Sequence, residues 1–275
     1  MAIHEAIDGL VVRVRDMGDR DRYLSVLTAE QGRITLLSKG SHSVRSPQVA
    51  ISQLYTYGNF EFYRKGTMNI LKGGSVIQPF YGLSSDLDRI NLAAYLCDLT
   101  CELTDEGEEA RSMLRLLLNS LHCLANGRYT QEQIKGAFEM RAMAISGYAP
   151  ALGGCAACGE RSSELYFLDV MNGSLLCHAC KSGYNNVPKS QIYAEDAREA
   201  SILREVSGAV LAAIRYCVTA PLEKLFSFEL TDESDRRAFS ALGETYALSH
   251  IGHGFDSLNF YHTMREMTLS ASKET

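Results

Sequence analysis

Four cysteines carry the sharpest chemistry in this chain. Cys155-Ala-Ala-Cys158 and Cys177-His-Ala-Cys180 are two C-x2-C pairs separated by eighteen residues, a spacing within the range of tetrahedral four-thiolate zinc sites. Each pair puts two sulfurs on one tight turn, so four thiolates converge on one ion and close its shell. A closed shell is structural, because a catalytic zinc keeps one position open for water. Other uses of the pairs fail on their neighbours. Covalent haem needs C-x-x-C-H, but Gly159 and Lys181 follow the pairs. A nucleobase deaminase needs H-x-E, and no histidine here has glutamate two positions on. A thioredoxin-like pair would stand alone beside a βαβ pattern, which is absent. His178 reads as a surface neighbour of Cys177, and Cys97, Cys101, Cys123 and Cys217 sit at helical apolar positions, where thiols pack as small hydrophobes.

A second cluster is basic. Between Gln31 and Lys72 the chain has Arg33, Lys39, Arg45, Arg64, Lys65 and Lys72 against the single acid Glu61. The whole chain has a net charge of −6, so this segregation points to a polyanionic partner. Lys39-Gly-Ser-His-Ser-Val-Arg45-Ser mixes cations, hydroxyls and a permissive backbone, which suits phosphate contacts without sequence reading. Tyr55, Tyr57 and Tyr63 alternate on a neighbouring run, and Tyr57 is the candidate ring for stacking on an unpaired base. Nucleotide-hydrolysing chemistry finds no support, because no glycine is followed by lysine and neither G-x-S-x-G nor G-x-G-x-x-G occurs. Asp105, Glu106, Glu108 and Glu109 read as a solvated helix junction, and His250 and His253 as a polar helix end.

These groups need a scaffold of two kinds. Over the first eighty residues apolar positions alternate in short runs: Leu10 to Arg15, Tyr23 to Thr28, Arg33 to Leu37, Gln53 to Lys65, Thr67 to Leu71 and Ser75 to Ile77. Closure into a small five-stranded barrel removes the exposed edges. From Ser84 the period lengthens to that of helices. One helix is capped by Ser84 or Ser85 with a stripe of Leu87, Ile90, Ala94, Cys97 and Cys101; others run over Glu108 to Asn126 and from Thr130 to Gly147. The cysteine pairs flank a hairpin whose turn is Asn172-Gly173, which describes a zinc ribbon. Ala194 to Cys217 and Asp235 to Ile251 return to helix. The expected fold is therefore α+β, with a barrel over 1–80, a helical domain over 81–150 and 189–275, and a cysteine module inserted at 151–188. The first twenty residues hold no apolar run suited to a signal peptide and no stretch spans a membrane, which gives a cytoplasmic expectation.

At this point the chain resembles the RecO family of bacterial recombination mediators over nearly its whole length. The residues that carry the resemblance are Thr28-Ala-Glu-Gln-Gly32-Arg33 with Ser38-Lys39-Gly40, Gln78-Pro79-Phe80 leading into Leu87-Asp-Arg89 and Ala94-Tyr95-Leu96, and Phe138-Glu139-Met-Arg141 with Gly147-Tyr148-Ala-Pro150 and Cys155-x-x-Cys158-Gly159. The resemblance implies an oligonucleotide-binding (OB-fold) barrel, a helical domain and a zinc module with one structural zinc ion. It implies binding to single- and double-stranded DNA and strand annealing. It also implies loading of RecA onto strands coated by single-stranded DNA-binding protein, with RecR and, in many bacteria, RecF, and no bond-making activity. The family often has two adjacent basic residues after the Lys-Gly step, whereas this chain has Ser41-His42-Ser43 and its arginine at Arg45. The C-terminal tail of single-stranded DNA-binding protein, acidic and ending in an apolar residue, calls for an apolar pocket rimmed by arginine, with Arg115, Arg141 and Arg204 as candidates. The implied location is cytoplasmic and nucleoid-associated. A different class of function is also open: a zinc-containing protein–protein adaptor of the repair machinery with incidental DNA contact.

Overall fold

A computed structural model describes residues 4–43, 45–184 and 202–271. The chain forms two compact units, Met1–Arg128 with Phe255–Thr275, and Tyr129–Gly254.

The first unit is built on a closed barrel of β1 (His4–Met17), β2 (Asp21–Thr28), β3 (Arg33–Ser38), β4 (Thr56–Lys65) and β5 (Met68–Pro79), in the order β1-β2-β3-β5-β4. The alternation visible in the sequence fills it: Ile7, Val11, Leu24, Val26, Ile34, Leu36, Phe60, Phe62 and Leu71 pack as one core, plugged by Ile51 from the long β3–β4 loop. The runs 67–71 and 75–77 are a single strand. Its register against β4 slips where Glu61 faces Gly73 and Phe62 faces Leu71, an extra residue that bends the strand for closure. Gly74 is required there, because a Cβ would lie 2.3 Å from the Asn59 carbonyl oxygen.

The helices of this unit are α1 (Leu87–Glu102), α2 (Arg111–Asn126) and, from the other end of the chain, α7 (Asp256–Ala271), which packs on α1. Two expectations are corrected. Asp86, not Ser84 or Ser85, caps α1, its carboxylate accepting the Asp88 and Arg89 N–H groups at 2.9 and 3.2 Å; the serines lie in a 3-10 turn over Tyr81–Ser85. Leu87 is 67% exposed; Cys97 and Cys101 of the expected stripe are buried, on a face that also takes in Leu92, Tyr95, Leu96 and Leu99. α2 starts at Arg111, after the acidic residues, and ends on Gly127 in the left-handed region, φ 61°.

The second unit contains α3 (Gln131–Ile145), β6 (Ala151–Cys155), β7 (Tyr166–Asp169), β8 (Ser174–Cys177), α4 (His178–Tyr184), β9 (Leu203–Val206), α5 (Gly208–Thr219) and α6 (Glu233–Ile251). Thr130 caps α3 by accepting the Gln133 N–H, as its spacing predicts. Four strands form a sheet in the order β6-β8-β7-β9. The β7–β8 turn is four residues, 170–173, not two: Asp169 pairs with Ser174, and its carboxylate accepts the Asn172 N–H and side-chain amide at 3.2 and 2.8 Å. Of the helix expected over Ala194–Cys217, the described part is α5 from Gly208. Residues 194–201 lie outside the described residues, and 203–206 form β9 because the free edge of β7 satisfies their backbone. Ser207 then starts α5 by accepting the Val210 N–H. No helix among the described residues is long and apolar enough to cross a membrane.

Candidate metal centre and nucleic-acid interface

The end of β6, the turn after it, the end of β8 and the first turn of α4 bring the two cysteine pairs together. The sulfurs of Cys155, Cys158, Cys177 and Cys180 all lie within 4.8 Å of one another, and Cys158 Sγ is 3.7 Å from Cys177 Sγ. A tetrahedron with zinc–sulfur bonds of about 2.3 Å has sulfur–sulfur edges of about 3.8 Å, so the four thiols can hold one metal ion with little rearrangement. The first pair is shaped by its backbone, since Cys155 N–H donates to Glu160 O at 2.7 Å and Gly159 N–H to Cys155 O at 2.8 Å. Burial raises the Cys155 thiol, but main-chain N–H groups of Cys177, Cys158 and Ala157 outweigh it and bring it to about 6. Cys180 is pushed up to about 12, first by hydrogen bonding to the Cys158 and Cys177 thiols. Four thiolates cannot coexist at this separation without a cation. His178 is outside the set, its ring lying against Phe167. Cys97, Cys101 and Cys217 are buried, and Cys123 is half-buried.

The basic candidates divide among several places on the first unit. Lys39 and Arg45 are exposed on the β3–β4 loop. That loop is fastened to the β1–β2 hairpin by His42 N–H to Arg20 O at 3.2 Å and Gly40 N–H to the Asp21 carboxylate at 2.8 Å. The fastening adds three arginines that the sequence reading did not select, Arg15, Arg20 and Arg22, whose membership depends on strand register: Arg22 pairs with Ser38 at the root of the loop. Arg64 and Lys65 are exposed at the β4–β5 turn, where Asn69 links Arg64 to the Thr35 carbonyl of β3. Arg33 is half-buried, its N–H donating to Asp105 O, and its positive charge counters the upward push that burial gives the Cys101 thiol. Tyr57 is half-buried and its hydroxyl pKa is raised by burial and by Asp8 and Glu30, so this ring lies in acidic surroundings. Tyr55 is buried with φ 61° and donates to the Ile90 carbonyl; it is core.

The three arginines selected as partner contacts occupy separate elements. Arg115 is exposed on α2 of the first unit. In the second unit Arg141 is half-buried on α3 and donates to the Val218 carbonyl, while Arg204 is exposed on β9. The second unit also has an open cleft of 560 Å³ with walls of Pro150, Leu152, Val218 and Thr219 and two guanidinium groups, Arg161 and Arg215. Arg215 is aimed by donating to Leu152 O at 2.9 Å, and Arg141 donates to the carbonyl of Val218, a residue of the same wall. Arg161 lies in the segment between β6 and β7, without helical or strand periodicity, and Arg215 lies within α5, so sequence pattern alone does not bring them together.

Comparison with known proteins agrees with this architecture. The family model described as Recombination protein O N terminal matches residues 1–80, the barrel, and that described as Recombination protein O C terminal matches residues 84–259. The chain is 27% identical to the DNA repair protein RecO of Acetivibrio thermocellus across 93% of this chain and 95% of that protein. It is 31% identical to the DNA repair protein RecO of Alkaliphilus metalliredigens across 63% and 70%, and 28% identical to that of Streptomyces coelicolor across 79% and 96%. With barrel, helices and cysteine centre in place and both family models matched, this chain belongs to the RecO family.

Proposed function

We propose that this protein is a DNA-binding recombination mediator of DNA repair. It binds and anneals single-stranded DNA and helps load RecA onto strands coated by single-stranded DNA-binding protein, acting with RecR and, where present, RecF. The observation that carries the reading is the basic loop Lys39–Arg45 fastened against Arg20 and Arg22 on a closed barrel, a positive rim on a chain of net charge −6. Such a rim captures phosphates electrostatically and screens the repulsion between two strands. Annealing by this route breaks no covalent bond, so no catalytic group is assigned. The metal is one structural zinc ion held by Cys155, Cys158, Cys177 and Cys180, whose binding energy is folding energy for the module. The proposed location is cytoplasmic, at the nucleoid.

The acidic second unit is suited to protein rather than DNA. Its cleft at Arg161 and Arg215 fits the acidic C-terminal tail of single-stranded DNA-binding protein, the apolar last residue against Leu152 and Val218 and the carboxylate on the guanidinium pair. This cleft also favours a second reading, an adaptor with incidental DNA contact. The two are separated by the salt dependence of binding to a fluorescent single-stranded oligonucleotide, for the native protein and for a variant with Arg33, Lys39, Arg64 and Lys65 changed to alanine. A steep fall with salt that flattens in the variant supports the mediator; absence of binding at low salt leaves the adaptor.

A further inference from the structure

Of the acids at the basic rim of the barrel, Asp16 is the one ion-paired to Arg22 and His42 among the described residues. Asp16 on β1 is the register partner of Arg22 on β2, and its carboxylate accepts from Arg22 Nε at 3.0 Å. The same carboxylate lies 3.5 Å from His42 Nε2 on the β3–β4 loop. Its pKa is lowered first by the Arg22 hydrogen bond and also by His42. The partners differ in exposure: the Arg22 side chain is 19% exposed, whereas Asp16 is 56% exposed. The cation is therefore held by its surroundings, and the acid at the hairpin end is the partner free to leave. Arg20 and Lys39, both exposed, flank the pair through the contacts described above, with Asp19 and Asp21 as the nearby acids on the turn.

The Asp16 carboxylate occupies the acceptor position that a phosphate oxygen would take, between the Arg22 guanidinium and the His42 ring. We infer that Asp16 is an internal stand-in for phosphate: its carboxylate occupies a nucleic-acid phosphate site made by Arg22 and His42, and a bound strand displaces it. This rests on the reading of the barrel as a DNA-binding surface. The displaced contact is an exposed ion pair, which is weak, so exchange needs little driving force once neighbouring phosphates reach Lys39 and Arg20. Asp16 thereby penalises a ligand with a single anionic group, which must compete with a tethered carboxylate, and tolerates a polyanion. The rim selects for strands over small anions.

The test is a double-mutant cycle read by anisotropy of a fluorescent oligothymidylate at fixed salt. Asp16→Asn is expected to bind about fivefold tighter than native, the equivalent of releasing one surface ion pair. Asp19→Asn removes the same charge from the same turn without touching Arg22 and should change affinity less than about twofold. Arg22→Ala should bind more weakly, and adding Asp16→Asn to it should give no gain beyond that of Asp19→Asn. The inference is overturned if Asp16→Asn weakens binding, if it matches Asp19→Asn, or if its gain survives in the Arg22→Ala background. The four-alanine variant distinguishes the levels: if it binds like the native protein, the barrel reading fails and this site with it. If it binds weakly while Asp16→Asn gains nothing, only the phosphate-site inference fails.

Discussion

Lys135 Nζ lies 2.9 Å from Glu139 Oε1, one turn further along α3, with both side chains buried and a second carboxylate, Glu244 of α6, at 2.7 Å. An ammonium shared between carboxylates in the interior joins α3 to α6 only while all the charges are present. Removing the lysine strands buried negative charge, so Lys135→Met should destabilise the protein by about 3–5 kcal/mol, measured as a lower urea midpoint. A loss under 1 kcal/mol would mean that water reaches the pair.

The cysteine centre makes a coupled prediction. Cys177→Ser should lose bound zinc, measured by elemental analysis, and lose stability in the same preparation, measured by thermal unfolding. Chelation of the native protein should reproduce the second effect. A stable, zinc-replete Cys177→Ser variant would remove this residue from the ligand set.

Helix α1 separates two readings of its first turn. Asp86→Ala deletes an acceptor for two otherwise unpaired N–H groups and should cost about 1 kcal/mol. Leu87→Ala, at a mostly exposed position, should stay within about 0.5 kcal/mol of native. Leu92→Ala, fully buried, should cost about 2–5 kcal/mol. Chemical denaturation of the three variants gives the order directly.

For the second unit, Arg161→Ala and Arg215→Ala should each weaken binding of an acidic peptide ending in an apolar residue about tenfold, in the range of a lost charge-assisted hydrogen bond. Affinity for a single-stranded oligonucleotide should be unchanged. Titration calorimetry with the two ligands checks the split; equal loss of both would merge the partner and DNA surfaces.

What the sequence makes legible follows from what is local. The C-x2-C pairs define their geometry through short turns, and the alternation from Leu10 to Leu71 announces a closed sheet because the barrel interior accepts only every second residue. What it hides depends on distant partners. Asp86 differs from Ser84 and Ser85 as a cap only through where α1 begins. Leu203–Val206 becomes a strand because β7 offers an edge, overriding helical spacing at Ile202, Val206 and Val210. α7 mixes its apolar residues with polar ones, and only packing in the first unit shows which are inside: Leu258 and Tyr261 are buried, whereas Phe260 and Met267 are exposed. Arg15 and Arg22 join the rim by cross-strand register and Arg20 by the hydrogen bond from His42 N–H, and no linear count of charge detects that.

Strand β9 also bears on solubility. It covers the outer edge of β7, whose opposite edge is occupied by β8, the strand that ends in Cys177, one of the four candidate ligands. β8 is thus tied to the cysteine module at its end, and β7 is held between β8 and β9. Without its ion the module would present Tyr166, Phe167 and Leu168, all buried in the intact sheet, along an unpaired backbone, a template for pairing between chains. For a metal-loaded protein, removal of the ion is expected to show as aggregation, measured by light scattering on chelation.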